Sequence, residues 1–141
     1  MRNRLFILLL TLVLSSCACE PEDIASFAFK GMETFMGAGF MPSEEIRATG
    51  RFQGMSVNLS SSSVDGEEES TIFLKLENGD PVALGHQPEL LARKCAELYL
   101  RDFEKSGEYQ KITVQFIQSD PSSPENIAMQ EYMFDTKDFP P

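Results

Sequence analysis

Segments with a two-residue apolar period alternate along this chain with segments of helical period, and that order limits the fold more than any other feature. The clearest strand is Tyr109 to Gln118, where Ile112, Val114 and Phe116 share one parity. Thr71 to Glu77 alternates in the same way, with Ile72, Leu74 and Leu76 on one side. Ile46 to Leu59 reads as a long strand whose parity flips near Gly54, which predicts a bulge there. Ile127 to Phe134 reads as a final strand. Two helical stripes interleave. Ile24, Phe27, Ala28, Met32, Phe35 and Met36 recur at helical spacing before Gly37 and Gly39, which should end that helix. Leu91, Ala92, Cys95, Ala96, Tyr99 and Phe103 form a second stripe in a helix expected from about Pro88 to Lys105. Turn chemistry falls between the segments: a polar loop over Ser60 to Ser70 with a turn at Asp65-Gly66, then Asn78-Gly79-Asp80-Pro81, then Asp120 to Pro124. Helix, strand, strand, helix, strand, strand predicts an α+β, two-layer domain. It would hold a four-stranded antiparallel sheet of two hairpins packed against two helices. The expected domain runs from 24 to 135, with a tether at 17–23 and a C-terminal tail at 136–141.

The first sixteen residues stand apart. Arg2 and Arg4 precede an apolar run from Leu5 to Leu14, broken only by Thr11, and Ser15 and Ser16 follow. That is the order of an export signal. The run is ten residues, whereas a bilayer-spanning helix needs about twenty. Leu14-Ser15-Ser16-Cys17 resembles the lipobox of bacterial lipoprotein precursors: an aliphatic residue, two small residues and a cysteine. The resemblance covers the leader alone. It implies removal of residues 1–16, a lipid on Cys17 and a membrane-held product in the cell envelope. Ala18 follows the cysteine in place of an aspartate, which in the enterobacterial sorting pattern implies the outer membrane. A cut before Cys19 would instead release an unanchored product, because Ser16-Cys17-Ala18 also has small residues at alternate positions. Several acyl chains would hold the protein on a bilayer almost permanently, since each buried CH₂ contributes about 0.8 kcal/mol.

Loss of the leader would leave ten basic against 22 acidic side chains, a balance of −12. Such a surface excludes the basic face that nucleic-acid binding needs. It also excludes charge-driven adhesion to anionic headgroups. Cys19 and Cys95 would remain beside the lipidated Cys17. They form a disulfide candidate for an oxidising compartment, worth about 3–4 kcal/mol by loop closure. Cys95 lies in an apolar stripe, so the reading as a small buried hydrophobe is favoured.

Catalytic signatures are sparse. His86 is the sole histidine and precedes Gln87-Pro88, a turn or cap setting rather than an acid–base one. No GxSxG elbow, CxxC pair or phosphate-cradling glycine loop occurs. Asp65, Glu67, Glu68 and Glu69 lack the ligand spacing of a calcium loop. The methionines are scattered, as core residues are, and no cofactor or metal is expected. The leading expectation is a non-enzymatic module that binds a protein partner or an apolar ligand. Its surface would be the Phe/Met-rich helix, with Phe27, Met32, Phe35 and Met36, or the edge of the first strand, with Met55, Val57 and Leu59. The alternative is a small envelope hydrolase with a carboxylate acid–base pair.

Overall fold

A computed structural model describes residues 30–64 and 66–140. Residues 33–141 form one compact unit. Residues 30–36 are helical and stop at Gly37, where φ of 100° suits a residue without Cβ and the Gly37 amide donates to Glu33 at 2.9 Å. Gly39 is required for a second reason. A Cβ there would lie 1.8 Å from the Asp102 carbonyl oxygen, with φ at +73°.

The predicted long strand divides into a helix and a strand. Helix α1 spans Glu44–Gly50 and strand β1 spans Gly54–Val64. Ser43 enters the helix in an extended conformation, Glu44 and Glu45 favour its positive end, and Arg51 leaves it at φ 52°. Ile46 and Gly50, four apart, are the buried positions, which is a helical spacing. Arg47 then fastens the exit by donating to the Phe52 and Gln53 carbonyls at 3.0 Å each. The parity flip near Gly54 therefore marks a helix–strand junction and not a bulge.

Strand β2 covers Glu67–Glu77, and the expected polar loop is mostly strand. Val64 pairs with Glu67, so the hairpin closes tightly, with Gly66 at φ +85°. Two short pieces then prepare the main helix. Asn78 turns the chain at φ 50°, and Asp80 caps helix α2, Pro81–His86, by accepting from the Val82 amide at 2.8 Å. Helix α3 follows over Pro88–Asp102, close to its expected span. Strand β3 is Lys111–Asp120 and strand β4 is Ser123–Asp135. Asp120 pairs with Ser123 across a tight turn held by the Asp120 carboxylate and the Ser122 amide, 2.8 Å apart.

The sheet runs β1-β2-β3-β4. Both hairpins are antiparallel as expected, but the central β2–β3 pair is parallel, so the sheet is mixed and not antiparallel throughout. The cause is the connection. β2 reaches β3 through α2 and α3, a crossover long enough to return the chain to the same end of the sheet. Across the parallel seam Ile72 meets Ile112, Leu74 meets Val114 and Leu76 meets Phe116. These six share a buried cluster with Ile46, Phe52 and the α3 residues Ala92, Cys95, Ala96, Leu98 and Tyr99. The ring of Phe52 stacks on Phe116 at 5.7 Å between centroids. The C-terminal residues do not trail away. Phe139 is buried at 8% exposure, Arg93 lies over its ring at 4.9 Å, and the Arg93 guanidinium donates to the Asp138 carbonyl at 3.1 Å.

Candidate functional site

The strand register divides side chains between two faces. On the face bearing the buried cluster, Met55, Val57 and Leu59 of β1 oppose Leu76, Leu74 and Ile72. Tyr132 and Phe134 of β4 oppose Val114 and Ile112. On the opposite face one row runs Asn58, Phe73, Thr113, Met133, and the next runs Ser56, Lys75, Gln115, Glu131. Thr113 is fully buried there, and its hydroxyl has no hydrogen-bond partner. Gln115 donates to the Glu131 carboxylate at 2.6 Å.

β4 is the outer strand beyond β3, and among the described residues nothing pairs with its far edge. From 127 onward its odd-numbered residues project to the face away from the core: Ile127, Met129, Glu131, Met133 and Asp135, while nearer the turn the register shifts and Ser123 lies opposite Asp120. Ile127, Met129 and Met133 are 63%, 58% and 55% exposed. Large apolar side chains thus lie in water between carboxylates, on a strand with free backbone donors and acceptors. Pro124 fits near the start of this edge because an edge strand tolerates a missing amide.

Of the expected binding residues, Phe27 lies outside the described residues, as do Cys17 and Cys19. Phe35 is 86% exposed and Met32 is also exposed. Met36, Met55, Val57 and Leu59 are half-buried against the core cluster. Phe35 thus stands in water, whereas Met55, Val57 and Leu59 pack against the core cluster. The row on β4 was not singled out in the sequence, although its alternation of acids with Ile and Met was present there.

Other sites are accounted for by packing. Cys95 is a free, buried thiol whose pKa burial pushes up to about 12, so it stays protonated. Tyr99 is also raised, by burial and then by Tyr109, and its hydroxyl donates to the Phe40 carbonyl at 2.8 Å. The Asp102 carboxyl is held below its ordinary value, first by the hydrogen bond from Arg101, which also reaches Glu45 at 2.8 Å. A general acid needs the opposite shift. His86 ends α2 and is exposed. It borders an open groove of about 640 Å³ between α2 and α3, which also takes in Leu90, Leu91 and Lys94. Among the described residues no group of three or more His, Cys, Asp or Glu could hold a metal, and no helix is long and apolar enough to cross a membrane.

No protein-family model matches the chain, and no curated protein does either. A solved structure described as "Crystal structure of SSO0001" aligns at 13% identity with a TM-score of 0.27. The alignment covers 92% of this chain and 60% of that one. That likeness is too low to define a shared fold.

Proposed function

We propose that this protein is a lipid-anchored binding module of the bacterial cell envelope, held at the outer membrane through Cys17, that engages a protein partner or an apolar ligand without catalysing a reaction. The helices would form one layer over the sheet and leave its second face and its outer edge to the partner. One observation carries the binding part: large apolar side chains stand in water at Met32, Phe35, Ile127, Met129 and Met133. The net charge of −10 supports a protein or neutral ligand over a nucleic acid. Anchoring rests on the lipobox resemblance at Leu14 to Cys17.

The test joins both parts. Mass spectrometry of the native envelope fraction should find residue 17 as an acylated N-terminus. A photo-crosslinker at Phe35 or Met129 should yield a discrete adduct in the same fraction. An unmodified Cys17 thiol overturns the anchor, and the absence of adducts from both positions overturns the binding role.

A further inference from the structure

We propose that the sheet face away from the helices binds a second copy of this chain, with a two-fold axis along β3, so that β2 of each copy covers β4 of the other. The inference rests on the binding-module reading and names the partner. Helices α1 and α3 bury their residues against the other face. On the face they leave, unbroken register fixes two central rows: Phe73, Thr113, Met133, and then Lys75, Gln115, Glu131. The middle of this face is already dry, with Thr113 fully buried and Gln115 at 9% exposure. A partner laid over it therefore strips little water from the polar centre and covers the exposed Met133 beside it.

Charge selects the occupant and its orientation. Lys75 and Glu131 stand one strand to either side of β3, about 10 Å apart. Lys75 is half-buried and has no ion-pair partner among the described residues, and Glu131 is held by the Gln115 amide alone. Turning a second copy over about β3 keeps each row at its own level and exchanges β2 with β4. Lys75 then faces Glu131 of the other copy on both sides of the axis. Phe73 faces Met133 in the same way, a contact of ring with sulfur. An axis across the strands through the Lys75 row would instead set Lys75 on Lys75 and Glu131 on Glu131. Lys111 falls on the proposed axis, but each copy already pairs it with Glu69 at 2.8 Å. The overlap is three strands wide, about 15 Å, so the contact is small and the association weak, with a Kd of about 0.1 mM.

Sedimentation equilibrium of the full chain in density-matched neutral detergent should show monomer and dimer in exchange. At about 0.15 M salt, repulsion between the acidic surfaces is screened beyond about 8 Å. Lys75→Glu and Glu131→Lys should each weaken the dimer by about tenfold, because each sets like charges face to face twice. Mixing the two variants in equal amounts should restore the parent affinity, since every altered charge then meets its opposite. That recovery also establishes that both variants fold. A photo-crosslinker at Met133 should attach to the segment around Phe73 of a second copy. A monomer throughout, single variants that dimerise like the parent, no recovery on mixing, or a Met133 adduct elsewhere on the second copy each overturns the inference. A monomeric chain that still yields adducts with an unlike protein sinks the self-pairing alone. The wider reading fails separately, when crosslinkers at Phe35 and Met129 both yield nothing in the native envelope.

Discussion

The two edges of the sheet are built on different principles. β1 turns Met55, Val57 and Leu59 toward the core and shows water only serine and asparagine, so it keeps its apolar side chains where they stabilise the fold. β4 sends Tyr132 and Phe134 to the core but leaves Ile127, Met129 and Met133 outside, spaced by carboxylates. An edge can avoid unwanted pairing through polarity, as β1 does, or through like charge, as β4 does. Only the second device discriminates, because an oppositely charged strand turns the obstacle into an attraction.

That contrast can be broken directly. Val57→Asp places a charge against the core and should cost about 2–3 kcal/mol in urea unfolding, whereas Met129→Asp should stay within about 0.5 kcal/mol of the parent. Equal costs would mean that β4 is as tightly packed as β1. Thr113→Val removes the buried hydroxyl that lacks a partner between the two edges, and should raise stability by about 1 kcal/mol in the same unfolding assay. A separate effect appears only in alkali. Cys95 keeps its proton to about 12 in the fold, against 9.0 for the ordinary thiol, and Tyr99 is raised as well. The unfolded chain therefore ionises first, so stability should be intact below about pH 9 and fall as pH climbs toward 12. Met129→Asp should show the same fall, since both groups sit on α3.

Much of this fold can be read from the residues. The stripe of α3 and the alternation of β3 are long and strongly periodic, and both stand close to where the pattern puts them. Strand direction is a different matter. Alternation at Ile72, Leu74 and Leu76 says which face is buried but not which way the neighbour runs, so the parallel seam is invisible in the pattern. α1 and α2 have seven and six residues, too few turns for a period to declare itself. The even spacing of Ile46 and Ala48 in α1, with Phe52 just beyond its end, imitates a strand. Asp80 before Pro81 is a good capping signal for α2, though it reads equally well as a turn. The early part of β4 was hidden because Ser123-Pro124-Glu125-Asn126 has turn chemistry, and only an edge accepts that proline in a strand. The β4 row follows the same logic: acids and methionines look like ordinary surface until the register puts them on one side of one strand.

The parallel seam also orders the folding events. Each hairpin closes over a few neighbouring residues, but Thr71 meets Lys111 only after the chain between them has been carried across. Loop closure of that span comes before any ladder bond rewards it, which makes the seam slow relative to either hairpin. Pulse-labelled amides in the β3–β4 hairpin should gain protection earlier than those of the β2–β3 seam, where Ile72 meets Ile112 and Leu76 meets Phe116. The molecule is assembled as two prefabricated ribbons whose shared border is sealed last.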